Sequence, residues 1–226
     1  MPRQTPKPNV GFLSRLFGRE SSENPPVRPS IPTLMTKQTS APKRKHSPAA
    51  TSKPWLVFDT ETTGIWHKHE PVGVVQVAAI LFDENGNEIE EFISLVHPER
   101  SIPLDASSIH GIRDKDVKNA PSRREVAKAL RPLFKRARFV VAHNAPFDAY
   151  AADWLGISHE SWVCTMGMTH SLMGGKWPRL DEAAEVCSIE VDPDLMHDAA
   201  YDARIAAQIY LSLKADGVDD HGGYWR

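Results

Sequence analysis

Cysteine is scarce in this 226-residue chain: Cys164 and Cys187 are the only two, and they form no CxxC pair. Neither a disulfide framework nor a thiolate zinc site can be argued from so few thiols, and a reducing compartment fits. Long apolar runs are also missing, since no stretch reaches the ~18 apolar residues of a membrane-spanning helix. The N-terminus lacks the continuous apolar core of a secretory signal. An Arg-containing, acid-poor start also occurs in organelle transit peptides, but its many prolines oppose a regular amphipathic helix. The expectation is a soluble, cytoplasmic protein with no membrane partner.

Acids are almost absent from the first part of the chain. Residues 1–53 carry ten Lys or Arg and only Glu20 and Glu23 as acids, a balance of +8. That leaves 17 basic and 27 acidic side chains, a balance of −10, for residues 54–226. Ten of the 18 prolines fall at or before Pro54, among Ser, Thr, Lys and Arg. Such a composition buries too little apolar surface to offset chain entropy. The expected organisation is a disordered, basic, Pro-rich tail over 1–53, one folded domain over 54–215, and a short C-terminal tail over 216–226. Within the first tail, Phe12, Leu13, Leu16 and Phe17 share one helical face by their spacing. They form either a short docking motif or a chance apolar cluster. LSRLF loosely resembles the peptides with which bacterial replication proteins grip a sliding clamp, although Leu13 stands where Gln usually leads. A clamp or polymerase partner is therefore an expectation for this segment.

From Trp55 the texture changes to structured chain. Trp55–Phe58 reads as a buried strand and Val72–Phe82 as a second. Asn85-Gly86 predicts a type I′ hairpin to a return strand over Glu88–Val96. Ser122 followed by Glu125 is a capping box, ahead of Val126, Leu130, Leu133 and Phe134 at helical spacing, with Pro132 expected to kink or shorten the helix. Arg138–Ala142 reads as another strand, a helix begins near Pro146, and Asp198–Leu213 reads as a terminal helix. This order, antiparallel strands and then strand and helix in alternation, predicts an α/β mixed sheet flanked by helices.

Four acids stand at positions that matter in such a sheet. Asp59 and Glu61, at i and i+2 near the end of the first strand, project from the same face with Cα atoms roughly 6–7 Å apart. They suit a shared metal, or are simply a solvated strand end. Asp148 falls where a strand gives way to a helix, and its alternative role is to favour the helix dipole. Asp202 is the most informative, because it shares a helical stripe with Ile205, Ile209 and Leu213, which faces the core. A carboxylate there needs a partner, and no Lys or Arg nearby lies on that stripe. If the four acids converge, each pair near 4 Å repels by about 4 kcal/mol at an effective dielectric of 20, so the cluster calls for cations. All-oxygen ligation selects hard ions such as Mg²⁺. His197, five residues before Asp202, is placed to act as a general base, since an imidazole titrates near pH 6.5.

In order and spacing, DTETTG at 59–64, HNAPFD at 143–148 and HDAAYD at 197–202 resemble the three motifs of the DEDDh 3′–5′ exonucleases. That family includes the proofreading subunits of bacterial replicative polymerases. IHGI at 109–112 and RLDEAAE at 179–185 resemble family elements too. The resemblance spans about Trp55 to Leu213 and implies a ribonuclease H-like fold with a mixed five-stranded sheet. It implies that Asp59, Glu61, Asp148 and Asp202 hold two Mg²⁺ or Mn²⁺ ions and that His197 activates the attacking water. It also implies that Thr62, Thr63 and Gly64 cradle the terminal nucleotide, with His110, Asn144 and Phe147 nearby. One departure is Gln76, at a position where many members carry Glu; its expected effect is on a polar contact near the site. His67 and His69, after Trp66, either touch substrate or belong to an exposed polar loop.

Several functions follow from these observations. The first is removal of nucleotides from the 3′ end of DNA or RNA, with single-stranded ends entering a pocket whose sign the metals reverse. General DNA trimming is the first choice, ahead of a polymerase proofreading subunit and RNA 3′-end trimming. The alternative from another class is a catalytically silent nucleic-acid-binding adaptor on the same fold, which loss of a metal ligand would favour. None of the four acids is lost. The basic tail either adds salt-sensitive contacts to the nucleic-acid backbone or is a solvated linker.

Overall fold

The computed structural model describes residues 35–37, 53–65, 72–219 and 224–225. Phe12, Leu13, Leu16, Phe17, His67 and His69 lie outside these residues. The described residues build one mixed sheet of seven strands. These are β1 (Met35–Lys37), β2 (Trp55–Thr62), β3 (Val74–Phe82), β4 (Glu88–Leu95), β5 (Val140–Ala142), β6 (Trp162–Cys164) and β7 (Tyr224–Trp225), ordered β1-β4-β3-β2-β5-β6-β7. The expected five strands form the centre: β2, β3 and β4 pair antiparallel, while β5 runs parallel to β2 and to β6. The two short edge strands are additional. β1 falls within the segment read as unstructured and pairs antiparallel with the edge of β4.

Two corrections concern local geometry. The β3–β4 hairpin closes through Asp83–Asn87 and is not a type I′ turn, because Gly86 has a positive φ of 80° but Asn85 does not. Asp83 decides this: its carboxylate accepts from the backbone N–H of Asn85 and of Asn87 and from the Asn87 amide. Helix α3 (Arg123–Arg136) is not ended by Pro132, since it continues four residues further. Leu133 and Phe134, just past the proline, are buried in the core and hold that last turn in place. Ser122 does cap this helix, with Glu125 reaching back to complete the box.

The central strands are covered on both faces. Leu56, Phe58, Val77, Ala79 and Leu81 pack with α3 and with α4 (Ala145–Leu155). Their neighbours Trp55, Val57, Ala78, Ile80 and Phe82 pack with α6 (Leu180–Val186) and α7 (Ala199–Ala215). The period-2 alternation of each strand thus divides one sheet between two cores. A smaller cluster joins Val75 and Leu95 to α1 (Leu104–His110) and α2 (Asp114–Val117). The remaining helix is α5 (Thr165–His170). The start of β3 is fixed by Gly73, which is joined to Thr63 by one backbone and one side-chain hydrogen bond: Thr63 N–H donates to Gly73 O at 2.8 Å, and Gly73 N–H donates to Thr63 Oγ1 at 3.0 Å. A Cβ at position 73 would lie 2.4 Å from the Pro98 carbonyl oxygen. Gly73→Ala is therefore expected to cost about 1–3 kcal/mol by overpacking against backbone, read as a lower urea midpoint. An unchanged midpoint would contradict this packing.

Candidate active site

The carboxylates predicted from sequence lie where strand ends and helix starts meet. Asp59 and Glu61 follow Phe58 on β2, and their parity puts both on the face covered by α7. Asp202 sits in the first turn of α7 and is only 6% exposed, on the buried stripe with Ile205, Ile209 and Leu213. Asp148 occupies the first turn of α4, is 4% exposed, and accepts a hydrogen bond from Thr60 Oγ1 at 3.3 Å. Because Thr60 points to the opposite face from Asp59 and Glu61, it links the α4 acid to the strand that carries the other two.

The charges of this group act on Asp59. Burial, then the carboxylates of Asp148, Asp202, Glu61 and Asp198, hold Asp59 well above the ordinary carboxylate range. Four like charges acting on one acid place it within a common cluster, and that cluster favours a cation or a proton. Ligand atoms of Glu61, His197 and Asp202 lie within 4.8 Å of one another, close enough for one ion. Carboxylate oxygens dominate the donor set, which suits a hard divalent cation. The residues present therefore fit a metal site.

His197 is exposed and has a backbone φ of +64°, a left-handed conformation uncommon outside glycine. Its backbone N–H donates to Asp202 Oδ2 at 3.0 Å, so the turn that places the imidazole also braces the acid. Asp198 caps α7, its Oδ1 accepting from Ala200 N–H and Tyr201 N–H.

Burial raises the Asp148 pKa to about 8, against the lowering effect of the Thr60 hydrogen bond. In an unfolded chain an aspartate titrates near 3.9. The metal-free folded protein thus keeps a proton that the unfolded chain has lost, and its stability falls as pH rises between roughly 4 and 8. In EDTA, the melting temperature is expected to drop from about pH 5.5 to pH 8, with a shallower slope for Asp148→Asn. A slope identical in the two proteins would contradict the shift.

The candidate nucleotide-binding residues are placed less uniformly. Thr62 and Thr63 are buried and already engaged: Thr62 Oγ1 donates to Gly64 O at 2.8 Å, and Thr63 holds Gly73. Gly64 takes a φ of 144° with open space where a Cβ would be. Asn144 is exposed at the start of α4 and Phe147 is half-buried beside Asp148. His110 is buried at the end of α1, where its Nδ1 accepts from Ile112 N–H at 3.0 Å. His143 is structural: burial lowers its pKa to about 4, and the ring bridges Thr165 Oγ1 and Pro178 O. Sequence reading did not find Thr60 as a partner of Asp148. Its signal was the strand alternation that turns it away from Asp59.

A helix-covered mixed sheet, with acids at the end of its central strand and in the first turns of two helices, defines a ribonuclease H-like nuclease. Comparison with known proteins narrows the class: the RNase_T model, described as Exonuclease, matches residues 56–210, and the chain belongs to this family, among the DEDDh 3′–5′ exonucleases. DNA polymerase III subunit epsilon of Treponema pallidum is 30% identical over 181 residues, covering 74% of this chain and 80% of that protein. An epsilon-like protein of Rhodobacter capsulatus is 31% identical over 183 residues, which is 74% of this chain but a quarter (25%) of that longer protein. Exonuclease X, solved in complex with 5′ overhanging duplex DNA, is 26% identical with a TM-score of 0.59, covering 75% of this chain and 96% of that one. Among the described residues, no helix is long and apolar enough to cross a membrane.

Proposed function

We propose that this enzyme trims DNA from a single-stranded 3′ end with two Mg²⁺ ions, or Mn²⁺ in their place, held by Asp59, Glu61, Asp148 and Asp202. The observation that carries the reading is the clustering of these acids about Asp59, with His197 beside Glu61 and Asp202. When bound, the ions supply charge stabilisation to the attacking and leaving oxygens of an in-line displacement. His197, exposed at the mouth of the cluster, accepts the proton of the attacking water. The water oxygen bonds to phosphorus as the bond to the preceding 3′ oxygen breaks, giving a nucleoside monophosphate and a chain one nucleotide shorter. Thr62, Thr63 and Gly64 shape the floor under the terminal nucleotide, with Asn144 and Phe147 at its side and His110 bracing the wall. DNA is favoured by the names of the curated relatives and by the DNA complex of exonuclease X.

The test is a rate comparison on matched single-stranded and duplex DNA and RNA. The expected order places single-stranded DNA first, and faster release from RNA would overturn the DNA assignment. A second reading, a polymerase proofreading subunit, is favoured by the epsilon subunits of Pasteurella multocida and Treponema pallidum among the relatives. It assigns Phe12, Leu13, Leu16 and Phe17 to clamp or polymerase docking. Co-elution of the full chain with purified clamp or polymerase, lost on Phe12→Ala with Phe17→Ala, would support it, and separate elution of the native chain would remove it.

A further inference from the structure

Gln76 lies on β3 directly across from Glu61, and its side chain is 1% exposed. Cross-strand neighbours of this kind place their Cβ atoms about 5 Å apart on one face. The Gln76 amide uses both of its ends on the start of α7. Its Nε2 donates to Asp198 Oδ2 at 3.1 Å, and its Oε1 accepts from Ala199 N–H at 3.2 Å. The other oxygen of Asp198 caps the helix through Ala200 and Tyr201. One buried side chain beside Glu61 therefore grips the turn between His197 and Asp202.

We propose that Gln76 is a positioning residue that aligns the first turn of α7 with β2, setting His197 and Asp202 against Glu61. This deepens the two-metal reading and rests on it. The requirement is one of matched polarity. Position 76 must offer one acceptor, to Ala199 N–H, and one donor, to Asp198. A carboxylate at 76 offers two acceptors and sets oxygen against oxygen at Asp198. An amide at 198 instead sets N–H against N–H, and flipping Gln76 only moves that mismatch to Ala199. Changing both positions together restores the match, with the donor now at 198. The rest of α7 stays anchored without this contact, through Ile205, Ile209 and Leu213 in the core and Arg204 paired with Glu88 and Glu91 on β4. Loss of the match therefore displaces the catalytic turn while the helix stays in place.

The experiment compares native protein, Gln76→Glu, Asp198→Asn and the double variant by kcat and KM on a single-stranded DNA oligonucleotide. Mn²⁺ affinity is read from free-Mn²⁺ paramagnetic resonance, and melting temperature reports folding. Each single variant is expected to lose about 10- to 100-fold in kcat and to bind Mn²⁺ more weakly, with KM changed by less than about threefold. The double variant is expected to recover kcat and Mn²⁺ affinity to within about threefold of native. Single variants with native kcat, or a double variant no better than the weaker single, would overturn the proposal. If a single variant does not fold, the double variant decides alone by the same criterion. Native protein lacking metal-dependent cleavage would instead overturn the two-metal reading, so the two failures are distinct.

Discussion

Asp59→Ala is expected to abolish release of mononucleotides while leaving the protein folded. Asp59 is the acid on which the other carboxylates act together, and its removal takes a proposed metal ligand from the cluster. The same change removes repulsion from the metal-free protein, where each charged pair near 4 Å costs up to about 4 kcal/mol at an effective dielectric of 20. The melting temperature of Asp59→Ala in EDTA is therefore expected to equal or exceed that of native protein. Added Mn²⁺ is expected to raise the melting temperature of native protein far more than that of the variant, because binding to the folded state alone stabilises it. Asp202→Ala is expected to behave alike in activity. Persistent cleavage by pure variant protein would show that the site is misassigned.

The second large effect concerns His197. Replacing it with alanine is expected to slow cleavage roughly 10²- to 10⁴-fold, the range for loss of a general base. Glycine at this position separates chemistry from backbone strain. The φ of +64° costs an ordinary residue on the order of 1 kcal/mol and costs glycine much less. His197→Gly is thus expected to be as stable as native protein or more so, yet as slow as His197→Ala. A strained residue that would fold better as glycine marks a position where function sets the side chain. An unaltered rate in either variant would remove the proposed role.

Much of this arrangement was legible before the structure. The central strands announce themselves through apolar runs buried on both faces, and α7 through a stripe into which Asp202 intrudes. That intrusion pointed to a site because a carboxylate on a buried stripe has few explanations. The short strands β5 and β6 carry three residues each, too few for periodicity to register fully. The residues of β6 show no strand signal of their own, and only the family resemblance, with its five strands, calls for it. The hairpin was misread in type because an aspartate two residues before Asn85 supplies its own acceptors and sets a longer loop. Gln76 was visible only as a departure from a familiar pattern. Its two-ended contact with α7 spans more than 120 residues of chain (122 to Asp198), a distance that local sequence cannot report.

The most direct test of the central claim uses single-stranded DNA carrying a label at its 5′ end, incubated with Mg²⁺, Mn²⁺ or EDTA beside Asp59→Ala. The expected result is a ladder that shortens one nucleotide at a time from the 3′ end with either metal, and intact substrate with EDTA or with the variant. Immediate release of a labelled mononucleotide from the 5′ end, or shortening that persists in EDTA, would contradict the metal-dependent 3′-end mechanism.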